Sequence, residues 1–197
     1  MATTADRALL DALAALDRTF RRLAVPAMII GGIAVIARGV PRQTVDIDAT
    51  VWGESIGIDR LVAELARDGI VPRTANAEAF ARQHQVLLVR HEPTGTPLEI
   101  SLAWLPFERE ALGRASEVDF GGVAIRVAAV EDLVVYKAVA WRDRDRTDIE
   151  RLLVQHGTAI NLARVRAVVE EFATALEEPQ RLAQFDTLVR RSRGAVD

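Results

Sequence analysis

The sequence predicts an α+β fold: a small mixed, mostly antiparallel sheet flanked by helices, with a C-terminal helical region. Three observations predict it. Apolar runs of strand length, bounded by Gly and Pro, alternate with segments of helical period up to about residue 127. Two turn signals, Pro93-Thr94-Gly95-Thr96-Pro97 and Gly121-Gly122, each join two such runs and read as hairpins. Beyond residue 128 only helical periodicity remains. The chain therefore divides into a core at 1–128, which includes an N-terminal helix, and a helical region at 129–197.

Taken in order, residues 3–23 read as a helix, because Leu9, Leu10, Leu13, Leu16, Phe20 and Leu23 recur at helical spacing. Thr3 or Thr4 is placed to cap it. Residues 27–30 form a strand and 32–37 a short helix, which Gly39 ends and Pro41 keeps from resuming. Residues 45–52 form the second strand. Alternation puts Asp46, Asp48 and Thr50 on one face of it and Ile47, Ala49 and Val51 on the other. A helix at 58–68 closes at Gly69, residues 70–73 form a short strand, and 75–83 lean weakly helical. The hairpin at 85–91 and 98–104 has Leu98, Ile100, Leu102 and Trp104 on an apolar face, with Glu99 and Ser101 opposite. A helix at 106–114 and a hairpin at 117–127 complete the core. Helices follow at 130–141, 161–172 and 178–190. The charged run Arg142-Asp143-Arg144-Asp145-Arg146-Thr147-Asp148 reads by itself as a solvated turn leading into a helix near Arg146, with Asp145 placed to cap it.

Composition excludes several classes. At 197 residues, half of them hydrophobic, the chain has ample material for a core. A net charge of −3 leaves no global basic field for nucleic acid. With no cysteine there is no disulfide, thiolate metal site or cysteine nucleophile, and the expected compartment is the cytoplasm. His84, His91 and His156 lack ligand spacing. The apolar stretch 23–37 is too short for a bilayer span of about 20 residues and contains Pro26 and a glycine pair. It starts too late for a signal peptide, so no membrane association is expected. Of the 25 basic residues only Lys137 is a lysine, which marks it as a place where a compact ammonium serves better than a guanidinium.

The candidate site lies between Ile29 and Val51. An apolar run ends in Gly31-Gly32, where backbone N–H groups can approach an anion closely at a helix start. After a basic loop containing Arg42 and Thr44, Asp46 and Asp48 follow at i and i+2 of a strand and point the same way. Two adjacent hard oxygen donors suit Mg²⁺, which binds through a few carboxylates plus substrate phosphates. The pattern fits a nucleoside triphosphate.

Gly31-Gly32 followed by Arg42-Gln43-Thr44-Val45-Asp46-Ile47-Asp48 resembles the first motif of the polymerase-β-like nucleotidyltransferase superfamily. Its Gly-Gly form is most similar to the AbiEii-like toxins of the abortive-infection type. The Glu131-Asp132-Leu133, Lys137 and Arg142-to-Ile149 wording resembles the second half of that family. The resemblance covers roughly residues 27–155 and implies the nucleotidyltransferase fold, with the helical region completing the site. It implies metal-assisted transfer of NMP from an NTP to an acceptor hydroxyl. Asp46, Asp48 and Glu99 would then hold Mg²⁺, and Gly31, Gly32, Arg42, Thr44 and Lys137 would bind the nucleotide. Lys137 and Asp148 would join the catalytic set, with Asp145 as a further member or a helix cap. The implied acceptor is tRNA and the implied partner a cognate antitoxin. An antitoxin or non-catalytic partner-binding module, and a small-molecule nucleotidyltransferase, are the alternative readings.

Overall fold

The computed structural model describes the backbone of residues 4–194 and side chains from 7 to 192. The expected cap at Thr3 or Thr4 lies outside the described side chains. The chain divides into two compact units. The first runs up to Ala37 and resumes over Arg42–Ala128; the second joins Arg38–Pro41 to the residues from Ala129 on.

The first unit contains α1 (Thr4–Leu23), β1 (Ala27–Ile30), α2 (Gly31–Ala37), β2 (Ile47–Trp52), α3 (Ile58–Ala66), β3 (Ile70–Pro72), α4 (Ala77–His84), β4 (Val86–His91), β5 (Thr96–Ala103), α5 (Pro106–Arg114), β6 (Ser116–Phe120) and β7 (Val123–Val127). The strands form one seven-stranded sheet in the order β3-β4-β5-β2-β1-β7-β6. Its β2–β5 and β1–β7 pairs are parallel and the other four antiparallel, so the sheet is mixed and mostly antiparallel. The apolar face of its centre is closed off: Ile47, Ala49, Val51, Leu98 and Ile100 are all fully buried. Alternation at period two is what sends these residues to one side.

Two strand ends near the site differ from the sequence expectation, each for a reason of backbone hydrogen bonding. β2 begins at Ile47, so Val45 and Asp46 precede the strand instead of opening it. On one side β1 ends at Ile30, opposite Asp48, because Gly31 turns the chain at φ +61°. On the other, the register Ile47↔Leu98 would set Asp46 against Pro97, which has no N–H to give. β5 ends at Ala103, and Trp104 leaves the apolar face with 60% of its surface exposed. The N–H groups of Trp104 and Leu105 both donate to the Glu108 carboxylate at 3.0 Å, which starts α5 and turns the chain out of the sheet. Thr50 shares a face with Asp48 but is fully buried, and its Oγ1 has no hydrogen-bond partner among the described residues. Asp48 is therefore the only acidic side chain that β2 itself carries.

The second unit consists of α6 (Val130–Ala140), α7 (Asp143–His156), α8 (Leu162–Ala175) and α9 (Gln180–Gly194). Residues 38–41 belong here because α7 holds them. His156 Nε2 stands 2.8 Å from the Arg38 carbonyl, Arg151 reaches the Pro41 carbonyl at 3.4 Å, and Val40 is buried. The Arg142–Asp148 run is not a solvated turn. It forms the first turns of α7, which starts at Asp143, and Asp145 and Asp148 point inward. Asp132, with no exposed surface, accepts a 2.8 Å bond from the half-buried Arg164 on α8, so α6 and α8 share a partly buried charge pair. No described helix is long and apolar enough to cross a membrane.

Candidate active site

The first unit brings Gly31, Gly32, Arg42, Thr44, Asp46 and Asp48 together. The register Ile30↔Asp48 sets the Asp48 side chain beside the residue after Ile30, which is Gly31. A Cβ on Gly31 would lie 1.8 Å from Asp48 Oδ2, so the carboxylate occupies the space that any side chain would need. Gly31 also holds φ at +61°, where an L side chain is strained. Gly32 is the floor for the loop: a Cβ there would lie 2.5 Å from Thr44 Oγ1 and 3.3 Å from the Arg42 guanidinium carbon. The Thr44 hydroxyl in turn donates to Asp46 Oδ1 at 2.8 Å. Asp46 has no ladder bonds to fix it, so this local bond orients its carboxylate. α2 has only seven residues, so its dipole adds little. The asset of this turn is close backbone approach.

The donor chemistry of this cradle suits a divalent cation of the Mg²⁺ type. Asp46 and Asp48 present hard carboxylate oxygens two residues apart, both half-buried, against backbone that glycine leaves open. Glu99 is the register partner of Asp48 on β5. Its carboxylate is nonetheless engaged elsewhere: Arg73 Nη2 donates to Glu99 Oε1 at 3.1 Å. No group of three or more His, Asp or Glu side chains is gathered as a metal site among the described residues. Arg73 escaped the sequence reading, because 26 residues separate it from Glu99 and no motif joins them. His91 bonds Thr94 at 2.8 Å, in keeping with a packed residue.

The second unit holds Lys137, Asp145 and Asp148 in one buried cluster. Lys137 Nζ lies 2.8 Å from Asp148 Oδ2 and 3.2 Å from Asp145 Oδ1, and all three side chains are almost fully enclosed. Asp145 is doubly committed, since the backbone N–H and Nε of Arg142 donate to its other oxygen at 3.1 and 2.7 Å. Burial alone would raise the Asp145 pKa. The Arg142 hydrogen bonds and the Lys137 charge outweigh burial and hold the carboxyl below its ordinary range. Asp145 therefore both caps α7 through Arg142 and neutralises Lys137, whereas Asp148 pairs with Lys137 from the next turn.

No curated protein matches the sequence. Among solved structures, the antibiotic-resistance factor ANT(2'')-Ia in solution is similar over 87% of this chain and 92% of its own, at 21% identity and a TM-score of 0.58. The crystal structure of ANT(2'')-Ia in complex with adenylyl-2''-tobramycin matches over 86% of this chain and 98% of its own, at 17% identity and a TM-score of 0.57. An antigenic nucleotidyltransferase-like protein from Paracoccidioides brasiliensis matches over 87% and 90%, at 16% identity and a TM-score of 0.52. At these identities the likeness is one of fold. A family model described as nucleotidyltransferase of unknown function (DUF6036) matches residues 7–192. Because that match spans nearly the whole chain and includes the glycine turn and both aspartates, the protein belongs to this nucleotidyltransferase family and is an enzyme of nucleotidyl transfer.

Proposed function

We propose that the enzyme moves NMP from a nucleoside triphosphate to an acceptor hydroxyl with Mg²⁺ held by Asp46 and Asp48. One observation supports this above the others: the Asp48 carboxylate lies directly on the Gly31 backbone, in space that only glycine leaves open. A triphosphate at this turn meets main-chain N–H groups and two carboxylates in one cradle. When bound, the cation supplies Lewis-acid polarisation of the phosphate and lowers the pKa of the attacking hydroxyl. Gly31 and Gly32 hold the β,γ-phosphates through backbone N–H groups, and Arg42, packed over Gly32, contributes positive charge. Thr44 keeps Asp46 oriented. Attack on the α-phosphorus forms the new P–O bond, expels pyrophosphate and releases the acceptor's proton. Glu99 is the third carboxylate of this scheme. The inclusion of Lys137 and Asp148 rests on the family resemblance: Lys137 would balance triphosphate charge, and Asp148, 2.8 Å from its ammonium, would orient it or act as base toward the acceptor.

For the acceptor, the wording from Glu131 to Ile149 favours the AbiEii-like reading, a toxin acting on tRNA and paired with a cognate antitoxin. A small-molecule hydroxyl is the second reading, favoured by likeness to a fold solved with adenylyl-2''-tobramycin. The test is incubation with each α-labelled NTP, Mg²⁺ and either total tRNA or a panel of polyhydroxylated small molecules, beside Asp48→Asn. Label on RNA with wild type alone supports the first reading, and label on a small molecule supports the second. The variant should lose at least about a hundredfold in rate. Undiminished transfer by Asp48→Asn would sink the cation proposal.

A further inference from the structure

The row of residues that crosses the sheet at Asp48 ends on a cation. Ile30, Asp48, Glu99 and Leu88 are successive register partners on β1, β2, β5 and β4. Arg73, just past β3, donates its N–H to the Leu88 carbonyl at 3.0 Å and so continues the row. Neighbours in such a row share a face of the sheet. The Arg73 side chain reaches past Leu88 to Glu99 Oε1 at 3.1 Å. The register thus delivers a second carboxylate beside Asp48, and a guanidinium engages it. This pairing is a local reason that Glu99 does not join Asp46 and Asp48 in a three-carboxylate cluster.

We propose that Arg73 is a positioning residue: it withholds the Glu99 carboxylate from the cation until a triphosphate draws the guanidinium away. The inference rests on the cation-assisted transfer proposed above. The pair is suited to exchange. Its side chains are 31% and 49% exposed, and pairs so placed contribute little to stability. A triphosphate offers several negative charges to a guanidinium that already lies in the row containing Asp48, and its bidentate geometry suits arginine. The Arg73–Glu99 contact is a single N–H to a single oxygen, so lysine should substitute for it where glutamine does not.

The test is direct Mn²⁺ titration followed by electron paramagnetic resonance, without nucleotide, on wild type, Arg73→Gln, Arg73→Lys, Glu99→Gln and the Arg73→Gln/Glu99→Gln double variant. Circular dichroism confirms that each is folded. Arg73→Gln should bind Mn²⁺ about threefold to tenfold more tightly than wild type, Arg73→Lys should stay near wild type, and the double variant should lose the gain. A non-hydrolysable triphosphate should close the gap between wild type and Arg73→Gln. Unchanged or weaker binding in Arg73→Gln overturns the proposal, as does a gain that survives in the double variant. Asp48→Asn separates this failure from failure of the underlying reading. If it abolishes Mn²⁺ binding while Arg73→Gln does nothing, only the role of Arg73 falls. If Asp48→Asn leaves binding intact, cation binding at Asp48 falls as well.

Discussion

At Gly31 the absence of one carbon atom makes room for the Asp48 carboxylate of the candidate site. Any Cβ there would overlap Asp48 Oδ2 at 1.8 Å, and the φ of +61° would add strain of about 1–2 kcal/mol. Gly31→Ala should therefore lower both stability and rate. Displacing Asp48 by about an ångström is expected to cost on the order of a hundredfold in turnover. Denaturant unfolding and labelled-NTP transfer, measured together, check this; an alanine variant with wild-type turnover would show that the contact is not needed. Most of this cradle was legible in the chain, because Gly31-Gly32, Arg42, Thr44, Asp46 and Asp48 lie within 18 residues of one another in sequence. The mutual fit was not legible. That Thr44 orients Asp46, or that the Thr50 hydroxyl is buried beside the site, depends on atoms brought close by the β1–β2 register.

Helix α7 shows how an element can reverse the meaning of its own sequence. Six charged residues among seven look solvated, yet the helical turn sends Asp145 and Asp148 to one inward face, where Lys137 of α6 meets both. Charge patterning reports only that acids and bases are near each other; the inward face is set by what the neighbouring helix offers. The Asp145 carboxyl is held below the ordinary carboxylate range, so its ionised form is favoured in the folded state. Its contribution to stability is complete above the unfolded pKa of about 3.9 and is lost as pH falls through the lower folded value. At pH 7, Asp145→Asn should cost about 3 kcal/mol, the low end for a broken buried pair, since Asp148 still faces Lys137. Denaturant unfolding from pH 7 to pH 2.5 should show wild type and variant converging below about pH 4. Curves that remain parallel would remove Asp145 from the acid response.

For the molecule as a whole, ligand linkage offers a readout that needs no acceptor. A nucleotide that binds only the folded chain stabilises it by about 2.7 kcal/mol at a hundred times its Kd. For a protein of this size that is a rise in Tm of roughly 5–10 °C. Mg²⁺ with the preferred NTP should produce this shift in wild type and lose most of it in Asp48→Asn; equal shifts in both would remove Asp48 from nucleotide binding. The four NTPs, compared this way, also rank the base preference before any acceptor is known.

By itself, the sequence determined the alternation of strands and helices through residue 127, the helical remainder, and the glycine and aspartate pattern of the candidate site. Each of these is local: period two or 3.6 in hydrophobicity, a glycine where the chain must turn, two acids two residues apart on a short segment. Only the tertiary structure decided where β2 begins, because a strand lasts only as long as Ile30 and Leu98 stand across from it. It decided that Trp104 leaves the sheet, because Glu108 claims the N–H groups of Trp104 and Leu105. It also paired Glu99 with Arg73 and enclosed Lys137 between two aspartates. Ladder ends and ion partners depend on what the fold places opposite a residue, and composition and periodicity along a single chain carry no record of that.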